Sequence, residues 1–574
     1  MHTFRVWAPD RRCVELVLDG RRSTMQAGES GWWDVSDPDA HAGTRYGFSL
    51  DGGPTRPDPR SMSQPDGVLG LSQLVDHAAH AWHDGGWRGR PLEGSIIYEL
   101  HTGTFSPAGT FDGAAEHIQH LAGLGVTTIE LMPVAEFSGA RGWGYDGAAL
   151  YAPHHAYGGP AGLKRLVDAC HGAGIAVLVD VVYNHLGPVG NFLPEFGPYF
   201  SDQHHTGWGA ALNFDGPGNG EVRRFVIDNA LMWIRDYHID GLRLDAVQQI
   251  VDQSPTHVLE QLAVEVDAMG AELGRTVILV AETEVNDARF VRSREDGGYG
   301  LAGVWSDDWH HSLHAALTGE RSGYYQHFGS LELLGRALGD GWVYAGPRSA
   351  RRLITDGAKA ADVMPHQLVV AAQNHDQVGN RAAGERLGHL VDEGSLKVAA
   401  ALLLTSPFTP MIFQGEEWAS SSPFQYFTDH ADPSLGKAVS DGRRREFAAF
   451  GWRADQVPDP QDPATFERSR LDWSELDQPS HRRMLAWYRD LVRLRTRLGD
   501  AAVRVEVDAN AGHLIVRRGA VSIVANLGRG EWRCPVVPGT QVLLASDPSI
   551  RTSDEALSLP RSSVVILETS QPDV

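Results

Sequence analysis

The chain has 574 residues and carries 73 acidic against 50 basic side chains, a formal charge of −23 at pH 7. Because that charge repels polyanions and no basic run offsets it, nucleic acid is not an expected partner, whereas a neutral ligand is compatible with it. No window of about 18 uninterrupted apolar residues occurs, so the sequence predicts no membrane span and no membrane partner.

The N-terminus and the cysteines indicate a cellular setting. The first residues, "MHTFRVWAPDRRCVELVLDG", lack a basic segment followed by an apolar run and a cleavage site, so no standard export signal is expected. The three cysteines, Cys13, Cys170 and Cys534, are far apart and odd in number, which argues against a disulfide framework. We therefore predict a reduced, cytoplasmic location.

The chain divides into three consecutive regions that differ in their pattern of apolar and polar residues. Residues 1–85 alternate apolar and polar residues in short runs such as "CVELVLDG", which predicts an N-terminal β-sandwich resembling a carbohydrate-binding domain. Over residues 86–490, short apolar runs alternate with helical patterns, as expected for βα units and a parallel sheet. Residues 491–574 return to short strands such as "VSIVANL", which predicts a C-terminal antiparallel β domain.

Eight β-rich apolar runs decide the predicted architecture of the middle region. Amphipathic segments such as "GLKRLVDACHGAG" lie between several of them, so we predict an α/β fold with a (β/α)8 TIM barrel. An insertion at about 186–222, rich in Pro, Gly and aromatic residues, is expected to fold over the strand ends. The eight runs are 95–100, 126–134, 176–182, 240–247, 277–283, 301–308, 368–376 and 410–417.

Polar residues follow these runs at a common end. In a barrel of this type the carboxyl ends of all strands face one surface, where active sites are built. A single acid there could simply cap the next helix, but polar groups at every strand end predict an acid-rich bowl. They include Tyr98, Glu99, Glu130, Asp180, Asn184, His185, Arg243, Asp245, Glu282, Asp307, Asp308, His375, Asp376, Glu416 and Glu417.

Three of these carboxylates suit the cleavage of a glycoside, which needs one ionised and one protonated carboxyl group. Arg243 and Asp245 are two apart on a strand and point the same way, so the guanidinium favours the charged carboxylate expected of a nucleophile. Glu282 follows the apolar run "VILVA", and desolvation should raise the pKa of its carboxyl, as a general acid requires. Asp376 could stabilise an oxocarbenium-like transition state.

Histidines near these acids have two possible roles. His185 and His375 are expected to donate hydrogen bonds to sugar hydroxyls beside the reacting carbon. Metal ligation is the competing role, but the pairs His204–His205 and His310–His311 lack a convincing further ligand in the sequence. We therefore predict no metal and no cofactor.

Four segments resemble the signature regions of the α-amylase superfamily of glycoside hydrolases, and they occur in the same order. They are "DVVYNH" (180–185), "GLRLDAV" (241–247), "AET" (281–283) and "NHDQ" (374–377).

The resemblance implies Asp245 as the nucleophile, Glu282 as the acid/base and Asp376 as the transition-state stabiliser. It also implies that Arg243, His185 and His375 contact the reacting sugar or these acids. The segment "RGWGYDG" (141–147) resembles the aromatic platform of the superfamily, which implies Tyr145 under the cleaved sugar and Asp146 nearby. A core role for Tyr145 is the alternative.

Within the superfamily, "IIYELHTGTF" (96–105) and "WGYD" after a β domain are similar to both glycogen branching enzymes and malto-oligosyltrehalose trehalohydrolases. The segments "AQNHDQVGNRAAGERL" (372–387), "SDDWHHSLH" (306–314) and "SPFTPMIFQGEEW" (406–418) look like the trehalohydrolases. Alternatively, "DDWHH" merely caps a helix. The further substrate contacts that the resemblance implies are Gln248, Asp307, Asp308, Trp309, His310, His311, Gln377, Asn380 and Arg381.

The implied reaction is a retaining cleavage of the α-1,4 bond next to the terminal trehalose of malto-oligosyltrehalose, with related α-glucans as further partners. The carboxyls of Asp245 and Glu282 should then lie about 5–5.5 Å apart, because an inverting enzyme needs about 6.5–9.5 Å. Two alternatives stay open at this point: a branching or debranching enzyme, and a non-catalytic glucan-binding relative. The latter usually loses one of the three acids, and here all three are present.

Overall fold

The computed structural model describes residues 1–344, 363–448, 452–453, 456–499, 501–553 and 556–569. At its centre, eight parallel strands close into a barrel, because the eighth strand pairs with the first. The predicted (β/α)8 barrel is therefore confirmed. Its strands, β1 to β8 in chain order, are Ile97–Leu100, Thr128–Leu131, Ala176–Val181, Gly241–Leu244, Ile278–Ala281, Gly303–Trp305, Leu368–Ala371 and Thr409–Phe413.

All residues of these eight strands are buried, because helices cover the outside of the barrel and side chains fill its inside. That double burial explains why the strands read as continuous apolar runs rather than as alternating patterns. The strands are shorter than the runs that predicted them: the run 126–134 gives β2 over Thr128–Leu131, and 301–308 gives β6 over Gly303–Trp305. Several polar ends of the runs lie beyond the strands, for example Asp307 and Asp376 in the first turns of helices.

The helix Gly159–Gly172 shows how the outer layer forms. The apolar residues predicted to fall at helical spacing were Leu163, Leu166, Val167, Ala169 and Cys170. All are buried except Ala169, which is exposed. The α-helices of the described residues are Thr102–Phe105, Phe111–Ala115, Ile118–Leu124, Gly159–Gly172, Leu193–Phe196, Asn219–Asp236, Val258–Leu273, Asp307–Thr318, Leu331–Asp340, His375–Gly379, Leu387–Leu390, Glu393–Thr405, Pro433–Ala448, Pro463–Arg468 and Pro479–Arg495. None of them combines the length and the apolar character that a bilayer-spanning helix needs.

Antiparallel sheets precede the barrel, as predicted. They bury Phe4, Val6, Leu16 and Phe48, which come from alternating positions of their strands. One sheet contains His2–Trp7, Trp32–Asp37 and Gln26–Ala27; the other contains Arg21–Thr24, Val14–Leu18, Arg45–Leu50, Thr55–Arg56 and Ser72–Gln73.

Antiparallel sheets also follow the barrel, and this prediction is confirmed too. Strand Val503–Asp508 alternates partly buried and exposed residues, whereas Val521–Asn526 is buried throughout, as a central strand should be. The larger sheet contains Val503–Asp508, His513–Arg518, Val521–Asn526, Ser563–Glu568 and Gln541–Ala545; the smaller contains Trp532–Pro535, Ala556–Leu559 and Arg551–Thr552.

Two small hairpins extend from the carboxyl ends of the barrel strands. The first, between β2 and β3, pairs Ala135–Glu136 with Ala149–Pro153. The second, between β3 and β4, pairs Phe200–Thr206 with Gly209–Leu212 and belongs to the predicted insertion. The loops of both hairpins bring aromatic side chains to the end of the barrel.

Candidate active site

Arg243 brings two of the three predicted acids together. It lies on β4, is 2% exposed, and donates through Nη1 to Asp245 Oδ1 at 2.8 Å and to Asp180 Oδ2 at 2.5 Å. Its Nη2 lies 3.4 Å from Glu282 Oε2. One buried guanidinium therefore contacts three carboxylates, and two of them were predicted to perform the chemistry.

Asp245 follows the last residue of β4 directly, so the strand fixes its position. Its second oxygen, Oδ2, accepts a hydrogen bond from Asn184 Nδ2 at 2.9 Å, and the same amide group donates to the Asp245 carbonyl. Both carboxylate oxygens thus have a fixed donor. The next residue, Ala246, has a φ of +41°, a left-handed conformation that is strained for a residue with a Cβ.

Glu282 follows β5 and reaches across to the same point. Its Oε2 accepts a hydrogen bond from the Ala246 backbone N–H at 2.7 Å, so the strained turn after Asp245 also orients Glu282. Burial, together with the nearby carboxylates of Asp245 and Asp307, raises the pKa of Glu282 to about 8 against the opposing charge of Arg243. The carboxyl group is therefore protonated at neutral pH.

Asp376 lies in the first turn of the helix His375–Gly379, which Asn374 caps by accepting a hydrogen bond from the Gln377 N–H. Asp376 is exposed, and its Oδ1 accepts a hydrogen bond from Asn380 Nδ2 at 2.5 Å. Burial raises the pKa of Asp307 to about 7, and the charge of Asp376 adds to the shift. Asp376 thus acts on Asp307, and the charge of Asp307 in turn acts on Glu282.

His375 is held by a carboxylate below it and a tyrosine above it. Its Nδ1 donates to Glu99 Oε1 at 2.5 Å, and its backbone N–H donates to Glu99 Oε2 at 2.8 Å. Its Nε2 lies 2.7 Å from the hydroxyl of Tyr145, which donates to Asp180 Oδ2 at 2.7 Å. Burial lowers the pKa of His375, but the charge of Glu99 and its hydrogen bond raise it more.

Tyr145 is only partly buried, and its hydroxyl is bonded to residues of the bowl. Its ring stacks on the ring of His375 with centroids 5.3 Å apart. The hydroxyl of Tyr145 is therefore among the charged residues of the site, while its ring also packs against the apolar cluster that contains Trp143.

His185 carries an aromatic neighbour that the sequence analysis did not select. Its Nδ1 is hydrogen-bonded to Asn184 Oδ1, and its ring stacks on Trp208 with centroids 4.9 Å apart. Trp208 lies in the turn of the Phe200–Thr206 hairpin and is 59% exposed. The only sequence signal for it was the aromatic content of the insertion.

Comparison with known proteins identifies relatives of this chain. A family model described as the α-amylase catalytic domain matches residues 63–197, and a model described as a domain of unknown function matches residues 496–566. Malto-oligosyltrehalose trehalohydrolase from Rhizobium sp. (strain M-11) is 47% identical over 98% of this chain and 97% of its own length. The enzyme of that name from Mycobacterium tuberculosis (strain H37Rv) is 46% identical over 100% of both chains.

The chain belongs to the malto-oligosyltrehalose trehalohydrolase family. It is therefore a glycoside hydrolase of the α-amylase family. Among solved structures, an amylase-like protein from Salmonella typhimurium superposes with a TM-score of 0.90 at 38% identity, over 99% of this chain and 97% of the other. A pullulanase from Bacillus acidopullulyticus superposes with a TM-score of 0.72 at 18% identity, over 99% of this chain and 73% of the other, and shows the fold alone.

In this trehalohydrolase-family chain, the "DDWHH" segment begins the helix Asp307–Thr318, and only its first residue faces the acids of the bowl. Asp308 accepts hydrogen bonds from the backbone N–H groups of Val343 and Tyr344, both at 2.8 Å, and from the side chain of Asn286. Through these bonds Asp308 joins the helix to neighbouring loops, and its carboxylate is not directed at the catalytic acids.

The next three residues of that segment are buried and make structural contacts. Trp309 has no exposed surface, so its indole is not placed to contact a substrate, contrary to the expectation from the resemblance. His310 is bonded through Nδ1 to the Ala372 carbonyl, and His311 through Nδ1 to the Asp307 carbonyl. Burial lowers the pKa of both rings. The alternative view of the segment as a helix start describes these residues better.

Of three further residues predicted to contact the substrate, two lie beside the catalytic acids and one stabilises the helix that carries Asp376. Gln377 Nε2 lies 3.4 Å from Asp307 Oδ1, and Asn380 holds Asp376, so both lie beside the acids. Arg381 is 7% exposed and donates two hydrogen bonds of 2.9 Å to Glu320, which makes it a support of the Asp376 helix.

Gln248 and Asp146 lie on loops beside Asp245 and Tyr145. Gln248 is in the short turn Val247–Gln249, and its buried Oε1 has no hydrogen-bond partner among the described residues. Asp146 follows Tyr145, is 39% exposed at its side chain, and lies 4.0 Å from His430 Nε2.

A layer of buried acids lies beneath the bowl. The sequence placed Glu99, Glu130 and Asp180 at strand ends in the predicted bowl, but gave them no catalytic or substrate-binding role. Burial raises the pKa of Asp180 to about 6 and that of Glu130 well above its ordinary value. Trp305, at the end of β6, supports the Arg243 guanidinium from 4.4 Å. Their strand-end positions were the available signal.

Proposed function

We propose that this glycoside hydrolase cuts the α-1,4 bond next to the terminal trehalose unit of malto-oligosyltrehalose. The products are trehalose and a shortened maltodextrin, and the anomeric configuration is retained. Relatives with this name, at 46% and 47% identity over nearly the whole chain, support the substrate. The observation that carries the chemistry is the contact of Arg243 with both Asp245 and Glu282.

Asp245 is the nucleophile of this proposal. Its two oxygens are oriented by Arg243 and Asn184, so the carboxylate needs little rearrangement to attack the anomeric carbon. The bond from the anomeric carbon to the leaving oxygen breaks as the bond to Asp245 forms. The product of this step is a covalent glycosyl-enzyme.

Glu282 is the acid and then the base. Because the pKa of its carboxyl is raised to about 8, it carries a proton at neutral pH and gives it to the leaving glycosidic oxygen. The resulting carboxylate then takes a proton from water, which attacks the anomeric carbon and releases the sugar from Asp245. The catalyst returns to its starting state.

Asp376 and the residues around it act on the sugar itself. Asp376 is exposed to the bowl, where its carboxylate can accept hydrogen bonds from sugar hydroxyls and stabilise positive charge at the reacting carbon. His375 and Tyr145 are linked to each other and to Glu99 and Asp180, so their positions are fixed before substrate binds. A neutral glucan is also compatible with a chain of charge −23.

One product analysis tests this proposal. The purified enzyme is incubated with malto-oligosyltrehalose and, in parallel, with plain maltodextrin of equal length, and the products are separated by chromatography. We expect free trehalose and one new reducing end per cleavage from the capped substrate, with the new end first appearing as the α-anomer by NMR. Asp245→Asn serves as the matched inactive control. Release of the β-anomer would exclude the retaining mechanism, and absence of trehalose would exclude the substrate.

The branching-enzyme alternative has weaker support. A 1,4-alpha-glucan branching enzyme from Streptomyces avermitilis is 33% identical, over 56% of this chain. A branching reaction would shift the colour of iodine-stained amylose without producing new reducing ends. We expect no such shift.

The location and the domain limits remain proposals. All three cysteines are free, which suits the reducing cytoplasm that we propose for the enzyme. We propose domains at 1–85, 86–490 and 491–574, with no nucleic-acid partner because of the strong negative charge. Cell fractionation and limited proteolysis test the location and the limits respectively.

A further inference from the structure

Three metal-ligating side chains converge at the base of the hairpin that carries Tyr145. Glu136 ends its first strand, and His154 and His155 follow its second strand, Ala149–Pro153. One ligand atom from each of the three lies within 4.8 Å of the others, and no other such group of three occurs in the described part of the chain. The proposed reaction uses none of these residues.

The distances between these atoms suit a small cation. Glu136 Oε1 lies 2.7 Å from His155 Nδ1 and 3.1 Å from His154 Nδ1. Ligands bound to Zn²⁺ at about 2.0–2.2 Å in a tetrahedral arrangement are separated from each other by about 3.3–3.5 Å. To surround an ion, the Glu136–His155 pair would have to move apart by about 0.6–0.8 Å and the Glu136–His154 pair by about 0.2–0.4 Å.

His154 supplies an independent reason to expect a ligand. Its side chain is completely buried, yet neither ring nitrogen has a hydrogen-bond partner among the described residues. Nδ1 nevertheless lies 3.1 Å from Glu136 Oε1, so the nitrogen that has neither a hydrogen bond nor an ion pair among the described residues is Nε2. Buried polar atoms are nearly always satisfied, and an unsatisfied group can mark an unseen ion or water.

The surroundings fix two of the three ligands. Glu136 Oε2 accepts a hydrogen bond of 2.7 Å from the His155 backbone N–H, so the carboxylate is oriented by its second oxygen. The ring of Phe137 stacks on that of His154 at 3.8 Å. The His155 side chain is 34% exposed, which leaves a route for an ion and room for a water as the fourth ligand.

We propose that Glu136, His154 and His155 form a binding site for a divalent transition-metal ion of the Zn²⁺ class, separate from the catalytic acids. Two imidazoles and one carboxylate are ligands that Zn²⁺ accepts, whereas Ca²⁺ and Mg²⁺ prefer oxygen alone. The ion joins the two ends of the hairpin. It thereby stabilises the loop that holds Tyr145 against His375 and Asp180.

Metal content tests this site without reference to activity. The full-length protein is stripped with a chelator, dialysed against limiting Zn²⁺ and measured by inductively coupled plasma mass spectrometry. We expect one Zn²⁺ per chain, and a tetrahedral absorption spectrum when Co²⁺ replaces it. Glu136→Gln and His155→Ala should each weaken binding by more than about 10-fold, since even the loss of an outer-shell partner has that effect. His204→Ala, which removes a histidine paired with Asp215 elsewhere, is the control.

A variant could also lose Zn²⁺ because it does not fold, so the folding of each metal-free variant is measured separately. Each variant is first shown to melt cooperatively without metal; His155 is the safer substitution because its side chain is partly exposed. Added Zn²⁺ should then raise the melting temperature of the wild type and of His204→Ala, but not that of the two site variants. If the wild type retains no Zn²⁺, or if the site variants retain as much as the wild type, the proposed site is wrong. Neither result bears on the proposed hydrolysis.

Discussion

At the scale of single residues, Arg243 sets the charge balance of the site. It is buried over Trp305 and contacts Asp180, Asp245 and Glu282 at once. A single cation among three carboxylates cannot support full ionisation of all of them in a buried place. The protonated member of this group is Glu282, whose pKa is raised to about 8.

The proposed division of roles predicts different behaviour for two isosteric variants. Glu282→Gln cannot donate a proton, so turnover of malto-oligosyltrehalose should fall by at least about 10²–10⁴-fold, the contribution of general acid catalysis. A substrate with a leaving group that needs no proton should restore formation of the glycosyl-enzyme in this variant. Asp245→Asn should remain inactive on both substrates, because it lacks the nucleophile. Burst kinetics and mass spectrometry of the intermediate measure both effects.

Rescue of Asp245→Asn but not of Glu282→Gln would reverse the assignment. Both variants keep the volume of the side chain, so far-ultraviolet circular dichroism should match that of the wild type. A variant that loses this signal would be uninformative about the role, and for that reason folding is measured before kinetics.

The raised pKa of Glu282 predicts a pH dependence. The acid must be protonated to act, so kcat/KM should fall as the pH rises through about 8. Above pH 7 Asp307 is ionised, because the pKa of its own carboxyl is raised only to about 7. Its charge disfavours a second negative charge on Glu282. Asp307→Asn removes that charge, so the basic limb of the profile should move to lower pH.

The pH profile of kcat/KM for the wild type and Asp307→Asn checks this shift. Asp202→Asn, an exposed acid on the insertion hairpin, is the matched control and should leave the limb in place. An unchanged or upward-shifted basic limb in Asp307→Asn would contradict the coupling of the two carboxyls.

The residues of the site were predictable to very different degrees. Arg243, Asp245 and Glu282 lie on or just after barrel strands. The carboxyl ends of all barrel strands lie on the same face of the barrel, so identifying the strands in the sequence was enough to place these residues in the site. The "DDWHH" residues lie on a helix instead, where successive side chains point about 100° apart. Five consecutive residues therefore cannot all face the bowl, and Trp309 turns into the core.

At the scale of elements, the insertion hairpin adds a surface that no strand-end rule could supply. Its position over the barrel depends on tertiary contacts, such as the stacking of Trp208 on His185. The turn uses Gly209 at φ +137°, a conformation open to glycine and strained for other residues. The result is an exposed indole beside the catalytic acids, with a flat apolar face suited to a sugar ring.

Truncation of this indole predicts weaker substrate binding. Trp208→Ala should raise KM for malto-oligosyltrehalose by about tenfold, since covering about half of the ring contributes about 1–1.5 kcal/mol. The change in kcat should be smaller, because the indole contacts no reacting atom. Trp208→Phe keeps a flat ring and should retain most of the affinity. Steady-state kinetics of the three proteins separates KM from kcat, and an equal KM for Ala and wild type would remove Trp208 from the substrate groove.

At the scale of the whole molecule, the barrel and the two β regions followed from patterns that need no tertiary information. Eight buried apolar runs predicted eight strands, and alternating runs predicted the antiparallel sheets. What the patterns could not show is how the sheets attach to the barrel. The attachment includes long polar side chains that donate hydrogen bonds to backbone carbonyl groups. Such contacts produce no repeating apolar and polar pattern, so they cannot be predicted from the sequence in the way that strands can.

Arg518 is one such attachment, between the C-terminal sheet and the helix Glu393–Thr405. It lies on strand His513–Arg518, is 6% exposed, and donates through Nη1 to the carbonyls of Thr405 and Ser406 at 3.0 and 2.8 Å. These carbonyls lie at the carboxyl end of the helix, where a cation is also favoured by the helix dipole. The guanidinium therefore satisfies groups that the helix itself leaves without a partner.

Loss of this attachment predicts a less stable enzyme with unchanged chemistry. Arg518→Met keeps much of the side-chain volume but removes the donor of the Thr405 carbonyl, whereas the Ser406 carbonyl keeps its hydrogen bond from Arg495. Leaving one buried carbonyl unsatisfied costs about 1–3 kcal/mol. Differential scanning calorimetry should therefore show a lower melting temperature for the transition that includes the C-terminal sheet. Arg504→Met, on an exposed position of the neighbouring strand, should melt like the wild type. At 25 °C kcat and KM of both variants should match the wild type, because no strand of the C-terminal sheet contributes to the bowl; a selective loss of kcat in Arg518→Met would show that the sheet acts on the site.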